Sequence, residues 1–137
     1  MRKPGRSVLI IVGLFFLSLA IGLWARGQEK RWPAGDEPNY AIMTEAFVHS
    51  GSFDVKPAFD SQDYVGVFYS EAVGPQINEK YFTSASPKWY SIHSFGLPLL
   101  AAPFLRAAEL LHLKPLDGII FGMSFYGALT IVLVYAY

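Results

Sequence analysis

The sequence predicts an α-helical integral membrane protein: two transmembrane helices flanking a mostly helical or irregular extracytoplasmic loop with juxtamembrane helices. Three observations lead there. Ser7–Ala25 is a run of 19 residues without a charge (SVLIIVGLFFLSLAIGLWA), and Gly118–Tyr137 is a second of 20 (GIIFGMSFYGALTIVLVYAY). Nearly all the charge lies between them or in the first six residues. The chain has 137 residues, 53% of them hydrophobic, and a mean hydropathy of +0.31, so a disordered chain is excluded.

The first element is a basic N-terminus over residues 1–6, with Arg2, Lys3 and Arg6. By the positive-inside rule these residues keep the N-terminus cytoplasmic. The first span is expected over residues 7–25, close to the roughly 20 residues that cross a bilayer, with Trp24 at the far interface. The rival reading is a cleaved leader with Ala20-Ile21-Gly22 as its small-residue site, but the apolar run is longer than a usual leader core of about 7–15 residues. The second span is expected over residues 118–137, where Gly122 and Gly127 would admit another helix closely. The chain stops inside that run, which predicts a fragment of a longer polytopic protein.

The loop between them covers residues 26–117. Residues 32–79 hold eight acids against Lys56, a net −7, and residues 80–114 hold Lys80, Lys88, Arg106 and Lys114 against Glu109, a net +3. Gly35-Asp36-Glu37-Pro38 starts a helix expected from Pro38 to His49, because proline suits the first turn and an acid before it caps free N–H groups. Gly51 ends it, and Tyr40, Met43 and Phe47 share one face. Ser52–Asn78 is expected to be irregular. Lys80–Tyr90 allows a short extended pair around Ser84-Ala85-Ser86-Pro87. Leu99–Leu113 forms a helix broken or kinked by Pro103, interfacial or re-entrant in placement.

Several chemistries are excluded. The absence of cysteine removes disulfides, cysteine zinc sites, iron–sulfur clusters and thiol catalysis. Zero net charge gives no electrostatic case for nucleic acid. No phosphate-binding P-loop, GxSxG, HExxH or dinucleotide fingerprint is present, and His49, His93 and His112 lack metal-ligand spacing.

Three groups remain as candidates. Asp36 and Glu37 are either a helix cap with a favourable dipole charge or a general base or metal-binding carboxylate. His93, in Tyr90-Ser91-Ile92-His93-Ser94-Phe95-Gly96-Leu97-Pro98, is either a polar anchor or a donor to phosphate at a turn entering a helix. Lys80, Lys88, Arg106 and Lys114 are either surface anchors or cations for a phosphate leaving group. Tyr64, Phe68 and Tyr69 either stack on sugar faces or fill a core.

Gly35-Asp36-Glu37-Pro38-Asn39-Tyr40 after an apolar run resembles the acidic GDEPHY motif in the first outside loop of polytopic GT-C glycosyltransferases. That group includes protein O-mannosyltransferases and lipid A aminoarabinose transferases. Trp89–Phe104 is similar to the YSxHPPGLPLLLAPF segment of the same enzymes. Asn39 stands where His is common, and Ser94-Phe95 replaces Pro-Pro. The resemblance covers nearly the whole chain but only the N-terminal part of such an enzyme.

The resemblance implies a sugar donor on a polyprenyl-phosphate carrier in the bacterial cytoplasmic membrane and a role in building the cell envelope. It implies an acceptor lipid, glycan or protein on the extracytoplasmic face, and inversion at the anomeric carbon. Asp36 matches the acid that deprotonates the acceptor hydroxyl, with Glu37 in support. Lys80, Lys88 and His93 are the candidates for holding the phosphate. Some relatives use a divalent metal ion and others none, so a cofactor held by Asp36 stays open. The alternative is a non-enzymatic two-span assembly or sensor subunit whose acidic loop binds a partner.

Overall fold

The structure, a computed structural model, describes residues 4–29, 37–68, 82–83 and 87–136. In chain order the elements are α1 (Pro4–Glu29), α2 (Glu37–Ser50), α3 (Lys56–Ser61), β1 (Phe82–Thr83), β2 (Trp89–Tyr90), α4 (Gly96–Leu110) and α5 (Pro115–Ala136). They fall into two compact units, one of residues 1–30 with 120–137 and one of residues 31–119.

In the first unit the Phe15 ring meets Phe121 and Phe125 edge-on, at centroid distances of 6.0 and 6.1 Å. Gly22 permits a second contact: a Cβ there would lie 3.2 Å from Ile120 Cγ2. Much apolar surface stays open, as at Leu9, Phe16, Leu133 and Val134.

The expected membrane architecture is corrected here. Helix α1 has 26 residues and α5 has 22, yet among the described residues no helix is long and apolar enough to cross a membrane. The structure therefore supports neither the integral-membrane fold class with transmembrane helices at 7–25 and 118–137, nor a location in the cytoplasmic membrane with an extracytoplasmic loop. A mostly helical chain is what it does support.

The second unit is organised by α2 and α4, which pack along each other. Tyr40 near the start of α2 meets His93 just before α4, and His49 near the end of α2 meets Glu109 near the end of α4. The two helices thus run in the same direction, and the chain between them must return to the starting end. Residues 51–95 make that return and supply much of the core. Val55, Phe59, Tyr64 and Phe68 from the crossover pack with Ile42 of α2 and Leu105 of α4.

Helix α2 begins at Glu37-Pro38 and ends on Gly51, whose φ of +67° places it in the left-handed region, with its N–H donating to Phe47 O at 2.9 Å. Its burial differs from the expected single face. Pro38, Asn39, Ala41, Ile42, Met43 and Thr44 are all buried, because the first half of α2 is covered on several sides. The Thr44 hydroxyl donates to Tyr40 O at 2.6 Å, which satisfies it inside the helix.

Helix α4 starts three residues earlier than expected and runs through Pro103 without a break. Pro98 lies in its first turn, where the missing N–H costs nothing. Pro103 is exposed, while Ala101, Ala102, Leu105 and Ala108 bury the opposite face. The turn after α4 places His112 at φ 55°; its N–H donates to Glu109 O at 3.0 Å and that of Leu113 to Ala108 O at 2.8 Å. This pair of bonds closes the helix and leads into α5. There Gly118 lies so near α4 that a Cβ would be 2.5 Å from Phe104 O.

β1 and β2 form a small antiparallel pair, Phe82 opposite Tyr90 and Thr83 opposite Trp89. The expected turn residues Ser84, Ala85 and Ser86 lie outside the described residues.

Candidate functional site

The site expected from the sequence has two motifs, one opening α2 and one opening α4. Asp36 and Lys80 lie outside the described residues. Glu37 is the first residue of α2 and is exposed, in the first turn where the helix dipole favours a negative charge. Lys88 is exposed one residue before β2. His93 is half-buried in the short connection between β2 and α4.

Two serine turns shape that connection. The backbone N–H of His93 donates to Ser91 Oγ at 3.1 Å, and that of Gly96 donates to Ser94 Oγ at 3.3 Å. They direct the His93 ring towards α2, where its centroid lies 5.3 Å from that of Tyr40, tilted by 54°. Residues of the two motifs, 53 positions apart, are thereby in contact. A second tie lies alongside. Phe53 stacks on Phe47 of α2 at 4.8 Å and on Phe95, the residue before α4, at 5.5 Å.

Other expected participants are elsewhere. Tyr64 and Phe68 are fully buried, so they fill the core and are not available to stack on a sugar; burial also pushes the Tyr64 phenol above its ordinary range. Tyr69 lies outside the described residues. Arg106 stands near the far end of α4, with Nη1 donating to Glu109 Oε2 at 3.0 Å, so it is not gathered with His93. Lys114 is exposed beyond α4.

Glu45 was not singled out in the sequence. It is half-buried on α2, and burial raises its carboxyl above the ordinary value; His49 lowers it, while Glu109 and Asp63 raise it further. The i, i+4 spacing of Glu45 and His49 was the available signal. It did not reveal Glu109, which approaches from another helix. Among the described residues no group of three or more His, Asp or Glu is placed to hold a metal ion.

No family model, no curated protein and no solved structure matches the chain. The comparisons therefore supply no support for the glycosyltransferase class that the two motifs resemble, and no described helix is long and apolar enough to cross a membrane as that class would require.

Proposed function

We propose that this chain carries the acceptor-activating segment of an enzyme that moves a sugar from a polyprenyl-phosphate-linked donor to an acceptor hydroxyl. The observation that supports the reading is the contact between Tyr40 and His93, which joins the acidic motif to the YSIHSFGLP segment. Two separated motifs of one catalytic apparatus need such a junction; two unrelated surface loops do not.

In this reading Asp36 takes the proton from the acceptor hydroxyl. The acceptor oxygen then forms a bond to the anomeric carbon as the bond from that carbon to the phosphate oxygen breaks, and the phosphate leaves with the electron pair. Proton removal requires a carboxylate within hydrogen-bond reach of the hydroxyl. The departing phosphate requires cationic or N–H donors. His93 supplies a ring N–H, and Lys80 and Lys88 supply charge. Glu37, next in the motif, supports Asp36 and suits the first turn of α2.

The test is transfer of labelled sugar from a polyprenyl-phosphate donor by the complete protein carrying Asp36→Asn. Transfer should be abolished while the far-ultraviolet circular dichroism and the melting temperature stay unchanged. Undiminished transfer would remove Asp36 from the mechanism, and absence of transfer by the unmutated complete protein across donors would remove the reaction class.

A further inference from the structure

We propose that the outward face of α4 docks on an anionic lipid surface, with the helix lying flat on it and α2 turned away. Helix α4 carries two apolar stripes. Ala101, Leu105 and Ala108, at i, i+4 and i+7, are buried. Leu99, Pro103, Ala107 and Leu110, at i, i+4, i+8 and i+11, lie on the opposite side and are exposed. A helix that faces water carries polar or charged residues along its outer side, and this stripe has none. Phe95, 60% exposed, precedes it, and Leu111, 68% exposed, follows it. A continuous apolar surface of this kind marks an interaction site.

The charges around the stripe point to what covers it. Residues 87–114 hold Lys88, Arg106 and Lys114 against Glu109, a net +2. All three cations are exposed, and the Glu109 side chain is largely covered beside Arg106. Residues 37–63 hold five acids against Lys56, a net −4, and Glu37, Asp60 and Asp63 among them are exposed. This acidic stretch comprises α2, which packs on α4, and the start of the crossover, whose Val55 and Phe59 join the core with Leu105. The unit is thus apolar and cationic along the outer side of α4 and acidic on the elements that cover its inner side.

A lipid surface with anionic headgroups matches both properties at once. Interfacial helices bind through buried apolar area and through attraction of Lys and Arg to anionic lipid. Pairing of α4 with α4 of a second copy would match the apolar stripes but bring like charges together. The α2–α3 stretch of a second copy would match the charge, but no large hydrophobic side chain is exposed over residues 37–68. Lying on a bilayer requires no helix that crosses one, and α4 has 15 residues. Of the two placements expected for this segment, interfacial and re-entrant, the unbroken helix suits the first. Repulsion of the acidic side from the same surface sets the orientation. None of this depends on sugar transfer, and the test below uses no sugar donor.

The chain has no cysteine, so a single polarity-sensitive fluorophore can report one position in the complete chain. Labels are placed at Leu110→Cys on the outward stripe and at Ser61→Cys, exposed beside Asp60. The probes are vesicles of phosphatidylcholine and phosphatidylglycerol in equal parts, and vesicles of phosphatidylcholine alone. On the anionic vesicles the emission from position 110 should shift to the blue, and that from position 61 should not. Leu99→Glu should abolish the shift. Lys114→Gln should weaken the partition about fivefold, and added salt should weaken it further. No shift at position 110 on either vesicle overturns the proposal, even where the chain sediments with the lipid. So does an equal shift at position 61, or an equal shift on the neutral vesicles. A shift at position 110 that grows with protein concentration before lipid is added assigns the face to a second copy and refutes the lipid surface. Should Leu110→Cys not fold, Ala107→Cys on the same stripe gives the same readings.

Discussion

Asp54 and Trp89, 35 residues apart, are joined through the backbone: the Trp89 N–H donates to Asp54 Oδ1 at 2.9 Å, and the Val55 N–H donates to Trp89 O at 2.9 Å. The same Asp54 oxygen accepts from the Lys56 N–H at 3.1 Å, which shapes the turn entering α3. One carboxylate thus fastens the crossover to the strand that leads to His93. Asp54→Ala leaves two partly buried N–H groups without their acceptor, a loss of about 1–3 kcal/mol. Urea unfolding should show the loss. A midpoint equal to that of the parent would show that water replaces the carboxylate.

Gly118→Ala is expected to destabilise the chain. The added Cβ would sit 2.5 Å from Phe104 O and 2.7 Å from Ala108 Cβ. The first of these is backbone and cannot swing aside, so α4 and α5 must separate. Overpacking of this kind costs about 1–3 kcal/mol. Gly127→Ala is the control, since nothing lies within 4 Å of its Cβ position. Comparable losses in the two variants would refute the close approach at Gly118.

Glu45→Gln is expected to raise stability at neutral pH. Burial, offset in part by His49 and reinforced by Glu109 and Asp63, raises the Glu45 carboxyl above its ordinary value of 4.5. The folded chain therefore holds this proton more tightly than the unfolded chain does. The stability it contributes is fully present below 4.5 and is lost as pH rises through the raised value. The melting temperatures of parent and variant should diverge upward from that pH, with the variant the higher. A parallel pair of curves would mean that Glu45 titrates as it does in the unfolded chain.

Ile42→Ala should cost about 2–5 kcal/mol, the range for emptying a packed aliphatic site. Ile42 has no exposed surface and packs in the cluster that includes Val55, Phe59 and Leu105. Leu110→Ala, at a residue 68% exposed, should change stability by less than about 0.5 kcal/mol. Denaturant titration of the two variants separates them. Near-equal midpoints would contradict the placement of the core against α2.

Helix starts and stops were legible where a single residue carries the signal. Pro38 opens α2 and Gly51 closes it, because a fixed φ and a left-handed φ are local properties of those residue types. Pro103 misled for the converse reason. The break that proline favours is a local cost, and the helix continues because Ala101, Ala102, Leu105 and Ala108 are buried on the other face. The two long apolar runs were read as spans from hydropathy alone, and no described helix meets the length and apolarity for crossing a membrane.

The candidate site divides in the same way. The sequence by itself determined that Glu37 sits at the start of a helix and that a turn near Gly96 and Pro98 leads into another; the two serine turns before α4 came from the structure. Only the tertiary structure decided that Tyr40 meets His93, that Tyr64 and Phe68 belong to the core, and that Glu45 and His49 share an electrostatic cluster with Glu109. Caps and turns are satisfied by neighbours in sequence, so their residues announce them. A contact between α2 and α4 depends on the direction in which a crossover of some 45 residues brings the second helix back, and no residue in either helix encodes that direction alone.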